Sequence, residues 1–315
     1  MHCFDRHFAL LCLVIEGDYR LLLSDEFFSC VFVLFFSILY ILNAYSNTQL
    51  RGLSIHRSNT GVAGTYGVGT VTSVGSGVLG VSPASQVFVA SSGTWTSEAV
   101  LNTQEVFPIS DSSDTSSDAP LDASQAACLP EAASAWALLH TFVSLSPGDV
   151  VVRSAEPSPL NSALDQVAAA GGFVMVPASA SDLVDAKFKD KVASKGPVRL
   201  AVTSGTGKSA RAMHALTGSK GVLVTYNGAI APLSDSHDSI ELRSLSMIFQ
   251  DQEVCGFDFR SWAANNPAEA SRALSESAAL MRKGQLKFTP VAFKAAQFKE
   301  AVECASSGKA AVIEL

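Results

Sequence analysis

The chain has 315 residues, of which 48% are hydrophobic and 16% charged, and its formal net charge is -7. This length and apolar content suffice to bury a substantial core in one two-lobed unit or in two domains. The acidity argues against a general nucleic-acid-binding protein, because no Lys/Arg stripe is available to neutralise phosphates. The cysteines and histidines are scattered without zinc-site spacing, so the sequence predicts reduced thiols and no metal.

Residues 1–59 differ in composition from the rest of the chain. The uncharged run FFSCVFVLFFSILYILNAY at 27–45 is long enough to cross the hydrocarbon core of a bilayer. One interpretation is a membrane anchor that leaves the body of the protein on the cytoplasmic or matrix side. The other is a targeting leader or a misplaced start, since residues 50–58, LRGLSIHRS, are basic and free of acids. Both interpretations predict that residues 1–59 lie outside the fold.

The body of the chain begins with short alternating segments that are rich in Gly, Ser and Val. Residues 68–81 and 86–100 predict strands joined by turns. Residues 110–124, SDSSDTSSDAPLDAS, are acidic with Leu121 as their one large apolar residue, and they predict a solvated loop. The tail of the chain has the pattern of a strand, a helix and a strand.

From residue 150 the pattern alternates between strands and helices. The runs VVVRSA, FVMVPA, VRLAVTSG and GVLVTYNG are typical of buried parallel strands. Between the first two, Ser158 and Pro159 are the predicted N-cap and first residue of a helix that carries Leu160, Leu164 and Val167 on one face. This alternation predicts an α/β fold with a doubly wound parallel sheet.

Two local motifs need separate interpretation. Residues 266–269, Asn-Pro-Ala-Glu, have the form of a capping box that opens a helix running towards Gly284. Residues 205–209, GTGKS, resemble the end of a phosphate-binding P-loop, but that motif requires a glycine where this chain has Val202. We therefore predict a strand-to-helix turn with Lys208 in the first helical turn, and no nucleotide hydrolysis.

Taken in order, these segments resemble the mitochondrial trans-2-enoyl-CoA/acyl-carrier-protein reductases, quinone-oxidoreductase-like members of the medium-chain dehydrogenase/reductase superfamily. Residues 64–83 resemble the family's G-x-E-G-x-G-x-V strand pair, 92–100 its G-T-W segment, and 134–155 its T-A-Y…L-x-P-G-D-x-V-I-Q-N-A run. The later segments VTYNGA, FDFRSW, MRKGQL and SSGKAAVIEL resemble further landmarks. Each block alone is unspecific, and their collinearity over about residues 61–315 carries the resemblance.

The resemblance implies an α/β architecture, with a Rossmann doubly wound parallel sheet plus a truncated GroES-like β-barrel lobe. The implied division is a leader at 1–59, the first part of the GroES-like lobe at 60–132, a Rossmann-like cofactor lobe at 133–260 and a return to the GroES-like lobe at 261–315. It also implies a location in the mitochondrial matrix, with a membrane anchor only if residues 27–45 are retained.

The family reduces the 2,3 double bond of an enoyl thioester with hydride from NADPH, and a tyrosine assists proton delivery. The leader replaces the strands that carry this tyrosine, so no catalytic residue is assigned, and Tyr66 does not receive the role. The resemblance places cofactor-binding positions at Ser158, Leu160, Asn161, Tyr226, Asn227, Gly228, Phe257 and Lys309. A structural alternative stays open for several of them: core aromatics, a turn glycine or a solvated surface lysine.

Changes at the dinucleotide turn oppose a phosphate site. The family's S-G-V-G becomes Ser-Pro-Leu-Asn, in which Pro159 removes an amide N–H and Asn161 adds a side chain where the family has bare backbone. Glu156 adds a negative charge nearby. The next strand end offers no Arg for the NADPH 2′-phosphate, the nearest basic residue being Lys187, and residues 173–198 are shorter than the Rossmann template by about one strand–helix unit.

Two hypotheses follow for function. In the first, the chain is an enoyl-thioester reductase-like protein by descent, with weakened or lost NADPH-dependent reduction and a scaffold role as a subunit of a larger mitochondrial complex. A homodimer is the other assembly considered, and a stable free homodimer would weaken this first hypothesis. In the alternative, it is an active NADPH-dependent oxidoreductase of mitochondrial fatty-acid synthesis, acting on the CH–CH group of enoyl thioesters of acyl-carrier protein or CoA. The losses at cofactor and proton-transfer positions favour the first.

Overall fold

The computed structural model describes residues 30–34, 39–41, 64–91, 93–110, 120–205, 207–226 and 244–314, together with Ile240 and Leu242. Its strands are β1 (Cys30–Leu34), β2 (Leu39–Ile41), β3 (Tyr66–Val74), β4 (Gln86–Ala90), β5 (Glu98–Asn102), β6 (Val106–Ser110), β7 (Val150–Ser154), β8 (Val174–Ala178), β9 (Val198–Thr203), β10 (Thr217–Tyr226), β11 (Glu253–Phe257), β12 (Val291–Lys294) and β13 (Ala311–Glu314).

The helices among these residues are α1 (Ala123–Ala126), α2 (Leu129–His140), α3 (Pro159–Gly171), α4 (Ala186–Ala193), α5 (Gly207–Leu216), α6 (Ser244–Gln250), α7 (Phe259–Asn265), α8 (Pro267–Arg282) and α9 (Phe298–Ser306). Three single turns of 3₁₀-helix cover Thr103–Glu105, Asp182–Val184 and Ala295–Gln297. The predicted acidic loop lies mostly outside the described residues, since 111–119 are not among them.

The larger sheet is parallel, with the strand order β11-β10-β9-β7-β8. Its strands alternate their side chains between two helical layers. Val151 packs in the core that includes α2 and α3, whereas Val150 and Val152 pack in the core that includes α4 and α5. The predicted doubly wound sheet is therefore confirmed, as are the four predicted strands β7 to β10.

In the described part of the chain, the sheet has every strand of the Rossmann order 3-2-1-4-5-6 except the third. Strand β7 takes the first position and β8 the second, and among the described residues no strand lies beyond β8. Pro177 is exposed on this edge strand, where its missing N–H removes no ladder hydrogen bond. The predicted shortening between residues 173 and 198 is confirmed.

A β-rich lobe packs beside the parallel sheet. An antiparallel sheet has the order β5-β1-β3-β4-β6, and a smaller one has the order β12-β13-β2. Val87 and Val89 from the first sheet share a core with Ile313 from the second and with Ala301 from α9. This lobe, together with the parallel sheet, gives the predicted fold class.

Two segments of the predicted leader belong to this lobe. Strand β1 pairs with β3 and β5, and β2 pairs with β13. The prediction that residues 1–59 lie wholly outside the fold is therefore wrong for 30–34 and 39–41. The physical reason is that a short apolar run is equally compatible with a strand and with a helix, and its pairing partners decide. The rest of the predicted span 27–45 lies outside the described residues, and no described helix is both long and apolar enough to cross a membrane.

Helix α3 begins as predicted. The Ser158 side chain accepts a hydrogen bond from the Asn161 N–H at 3.0 Å, and Pro159 is the first helical residue. The predicted apolar face is buried, and it comprises Leu160, Leu164 and Val167. This helix positions the turn that follows β7.

The predicted capping box at residues 266–269 is wrong in its hydrogen bonding. Asn266 is the N-cap of α8 by position, and Pro267 follows it, but the Asn266 side chain caps no amide of α8. Its Nδ2 donates instead to the Trp262 carbonyl of α7 at 2.9 Å. Asn266 also ends α7, so its amide satisfies one of the carbonyls left unpaired at that helix end.

The buried His214 of α5 generates a pH prediction. Its side chain is 4% exposed, and Nε2 has no hydrogen-bond partner in the described part of the chain. Burial lowers the pKa of His214 below its ordinary value of 6.5. The folded state therefore favours the neutral imidazole, while the unfolded chain takes up a proton below about pH 6.5.

The stabilising contribution of His214 is thus complete above pH 6.5 and is lost as the pH falls below that value. We expect urea unfolding to show a larger loss of stability between pH 7.5 and 5.5 for the wild type than for His214→Gln, which does not titrate. The pKa values of Asp122 and Asp182 are lowered from 3.8, so these two groups stay ionised and do not affect stability between pH 7.5 and 5.5. If the free energy of unfolding falls equally with pH in the wild type and in His214→Gln, the pKa of His214 is not lowered by folding.

Candidate functional site

The carboxyl ends of three parallel strands meet at the turn before α3. Ser154 ends β7, Thr203 ends β9 and Tyr226 ends β10. The Ser154 and Thr203 hydroxyl oxygens lie 3.1 Å apart, and the Ser154 Oγ also accepts from the Ser204 N–H at 3.3 Å. Doubly wound folds bind ligands at such strand ends, so this turn is the candidate site.

The side chain of Asn161 closes this turn from the inside. It is 3% exposed, and its Nδ2 donates to the carbonyls of Ser154 at 3.1 Å and of Glu156 at 2.6 Å. Its Oδ1 accepts from the Tyr226 hydroxyl at 3.1 Å. The Asn161 side-chain amide therefore forms its hydrogen bonds within the protein. It also fills the space that a glycine at this position would leave open.

Few backbone amides remain for an anion at the start of α3. Pro159 has no N–H, the Asn161 N–H donates to the Ser158 side chain, and the Ser162 N–H donates to the Ser158 carbonyl. In the described part of the chain, only the Leu160 N–H in this first turn has no acceptor. Anion binding at a helix N-terminus depends on such free amides, so this one offers little.

The tail of the chain packs against the outer side of the same turn. Gly308, between α9 and β13, has φ +81°, and a Cβ at this position would lie 2.2 Å from the Pro157 carbonyl oxygen. Only a glycine fits this approach of two backbones. The exposed Lys309 follows directly and is thereby placed beside the turn.

An ion pair that the sequence analysis missed holds the end of β7. The Arg153 Nε and Nη2 donate to the two carboxylate oxygens of Asp165 at 2.8 and 2.6 Å, and Nη1 donates to the Ser154 carbonyl at 2.7 Å. The guanidinium is thus committed to α3 and the strand end. Its signal in the sequence was a charged residue inside an otherwise apolar strand.

The surroundings of Tyr226 keep its phenol neutral. Burial raises the pKa of Tyr226 to about 12, and the carboxylates of Glu131 and Glu156 add to this shift, against a hydrogen bond with Ser204 that lowers it. The phenol is therefore neutral and donates its proton to Asn161. The Arg153 guanidinium lowers the pKa of Tyr226, so charges of both signs surround this side chain.

The predicted site residues thus divide into groups. The structure brings Ser158, Leu160, Asn161 and Tyr226 together at the turn, and Lys309 lies beside it. Phe257 pairs with Tyr226 in the sheet but packs against Phe142 and Trp262, each with ring centroids 5.9 Å away. Asn227 and Gly228 lie outside the described residues. Tyr226 and Phe257 are core aromatics in this arrangement.

The arrangement does not fit a dinucleotide pyrophosphate. The inner space of the turn holds the Asn161 amide, the N-terminal amides of α3 are largely used, and the nearby guanidinium is neutralised by Asp165. No group of His, Cys, Asp and Glu side chains in the described part of the chain could hold a metal ion.

The Asn161 network can be tested through stability. Asn161→Ala removes the two hydrogen bonds that Nδ2 donates and the one that Oδ1 accepts from Tyr226, so we expect a loss of about 1–3 kcal/mol in the free energy of unfolding. Tyr226→Phe should cost about 0.5–1.5 kcal/mol, and the double variant should cost less than the sum because the two residues share a hydrogen bond. Urea unfolding measures all three.

Ser162→Ala is the matched control, because Ser162 is exposed in the same helical turn and should change stability by less than about 0.5 kcal/mol. If the double variant loses the full sum of the two single losses in unfolding free energy, Asn161 and Tyr226 do not share the proposed hydrogen bond.

No protein-family model matches the chain. Over 269 residues it is 25% identical to the mitochondrial enoyl-[acyl-carrier-protein] reductase of Dictyostelium discoideum, an alignment that covers 77% of this chain and 73% of that protein. Over 254 residues it is 30% identical to the protein of the same name from Bos taurus, covering 71% of this chain and 64% of the bovine protein. The chain thus spans less than two thirds of the bovine relative.

Solved structures show the same architecture. The mitochondrial 2-enoyl thioester reductase Etr1p/Etr2p heterodimer from Candida tropicalis superposes with a TM-score of 0.73 at 17% identity, covering 91% of each chain. The Etr1p/NADP/crotonyl-CoA complex superposes with a TM-score of 0.72 at 17% identity, covering 93% of each chain. At this identity the likeness shows the fold alone.

Proposed function

Because this chain belongs to the medium-chain dehydrogenase/reductase superfamily as an enoyl reductase-like protein, we propose that it keeps the reductase fold as an assembly subunit while its NADPH-dependent reduction is weakened or lost. Its relatives are mitochondrial by name, and the same location, in the matrix, is part of the proposal.

One observation carries the proposal: the buried Asn161 amide occupies the turn that would receive the cofactor pyrophosphate. For a pyrophosphate to enter, this amide would have to leave. The Glu156 carbonyl would then lose its hydrogen bond from Nδ2, whereas the Ser154 carbonyl would keep the one from Arg153 Nη1. The buried Tyr226 hydroxyl would lose its bond to Oδ1, and each hydrogen bond lost costs about 0.5–1.5 kcal/mol. The approaching phosphates would gain few amides in exchange, since Pro159 has none and Ser158 holds another.

The alternative is an active reductase that transfers hydride from NADPH to an enoyl thioester of acyl-carrier protein or CoA. The observation in its favour is that Tyr226 and Phe257 still end β10 and β11 side by side. Movement of Asn161 out of the turn would then be the step that admits the cofactor.

A titration of the full-length chain with NADPH distinguishes the proposed assembly subunit from the active reductase. We expect no binding of NADPH by the wild type at micromolar concentrations, and a gain of about tenfold or more in affinity for Asn161→Gly, which reopens the turn. Ser162→Gly is the matched control, because it carries the same cost of a glycine in the helix and leaves the turn filled.

Micromolar NADPH binding by the wild type, followed by reduction of crotonyl-CoA, would overturn the proposal and establish the active reductase.

An apolar surface on α6 supports a contact with another protein chain. Leu245, Ile248 and Phe249 are 65%, 69% and 80% exposed. Helix α6 leads into β11, which ends the parallel sheet in the described part of the chain. Such an edge and an apolar surface together suit a protein contact.

The occupant that we propose for this surface is a second copy of the chain. An edge strand can pair with its own copy about a two-fold axis, which would cover both copies of α6 at once. The Candida tropicalis neighbour is described as a heterodimer, an assembly of two named reductase chains.

We expect the full-length wild type to have the mass of a dimer in light scattering, and Ile248→Lys combined with Phe249→Lys to have the mass of a monomer. Leu79→Lys is the control, because Leu79 is equally apolar and 90% exposed but lies in the loop between β3 and β4. A wild type that is monomeric, or a mass that α6 variants leave unchanged, would contradict this assignment.

A further inference from the structure

The helical layer formed by α4 and α5 is basic, although the chain as a whole is acidic. Of the 22 Lys/Arg and 29 Asp/Glu residues of the chain, residues 182–220 hold eight and three. This segment therefore carries a formal charge of +5 in a chain whose net charge is -7. The acidity of the whole chain thus conceals a local basic region.

The two helices present this charge on one side of the parallel sheet. Phe188 and Val192 of α4 pack in the same core as Met213 of α5, and α5 also lies against the 3₁₀ turn that precedes α4. The basic side chains that are exposed around this core are Lys187, Lys189, Lys191 and Lys195, on and just after α4, and Lys208 and Arg211 on α5. We call these six residues the basic face.

The lysines of the basic face are not neutralised within the protein. In the described part of the chain, none of its five ammonium groups donates a hydrogen bond or forms an ion pair. The pKa of Asp182 is lowered chiefly by a hydrogen bond from the Ser179 side chain, and Lys191 adds only a smaller contribution. Asp190 is the one acidic residue of α4, and it is exposed. The face therefore has an excess of positive charge that an anionic partner would satisfy.

The composition of the basic face favours a layer of lipid headgroups over a protein surface. Protein interfaces are depleted in Lys, whose flexible side chain loses entropy when a rigid partner fixes it. A fluid layer of anionic headgroups requires no fixed geometry, and it attracts every Lys or Arg that lies near its surface. Val184, in the turn just before α4, is 81% exposed and offers an apolar contact to the boundary between headgroups and acyl chains.

We infer that the basic face docks the chain onto an anionic phospholipid bilayer as a peripheral membrane contact. This inference goes beyond the proposed function, because it concerns where the protein is held and not whether it reduces a substrate. It involves neither the turn closed by Asn161 nor the apolar surface on α6. It also requires no transmembrane helix.

The experiment is co-sedimentation of the full-length chain with phosphatidylcholine vesicles that contain either no anionic lipid or about one third phosphatidylglycerol. We expect the anionic vesicles to bind the protein about tenfold or more tightly than the neutral ones at low salt. Raising the salt from 0.1 to 1 M should release it, because the Debye length falls from about 10 Å to about 3 Å. Every protein tested keeps the apolar run at 27–45, so the neutral vesicles measure any contribution from that run.

Charge reversal on α4 tests whether the basic face makes the contact. Lys187→Glu combined with Lys191→Glu should weaken binding to the anionic vesicles about tenfold or more, since two attractions become repulsions. Lys294→Glu combined with Lys299→Glu is the matched control, because these exposed residues of the β-rich lobe give the same change in net charge. The control should change binding less than about twofold.

A substitution that strengthens binding keeps the inference testable even if the charge-reversal variant folds poorly. Asp190→Asn removes the one carboxylate of α4 and should tighten binding to the anionic vesicles about threefold. Unchanged or weaker binding by this variant, in a folded sample, would overturn the inference.

Three further outcomes would also overturn it. One is a wild type that does not sediment with the anionic vesicles. The second is an equal loss of binding in the α4 variant and in its control, which would mean net charge and not the basic face. The third is failure to bind vesicles while polyglutamate or an RNA oligonucleotide binds through the same lysines, which would mean an acidic protein or a nucleic acid as the partner.

Discussion

The buried amide of Asn161 is the interaction on which the rest of the site depends. It ties the Ser154 and Glu156 carbonyls to the Tyr226 hydroxyl, and so joins β7, its following turn and β10 through one side chain. A buried amide without partners would cost about 1–3 kcal/mol, so the turn must wrap around it once Asn stands at this position. The neutral phenol of Tyr226 follows from the same burial.

The turn after β7 is packed from both sides. In a doubly wound fold this is the crevice that receives a ligand, whereas here it is packed from the inside by Asn161 and from the outside by Gly308 against Pro157. The Arg153 guanidinium also stabilises this region, because it binds the Asp165 carboxylate of α3. Groups that could serve a cofactor therefore serve the stability of the fold.

The sequence predicted the parallel sheet because its buried strands are continuous β-branched runs, and it predicted the start of α3 because Ser158 and Pro159 are favoured at the N-cap and first position of a helix. It failed at residues 30–34 and 39–41, since an apolar run does not specify its pairing partner. It placed the Asn161 side chain in the turn but not its bond to Tyr226, which lies 65 residues away along the chain. Such a contact depends on how the strands are ordered in space. The Gly308 contact was missed for the same reason.

The most direct test of this account is an experimental structure of the full-length wild-type chain determined with an excess of NADPH. The account predicts that the Asn161 amide keeps its bonds to Ser154, Glu156 and Tyr226 and that no pyrophosphate lies at the start of α3. A pyrophosphate bound there, with Asn161 rotated out of the turn, would contradict it and show that the closed turn is only the resting state of a working reductase.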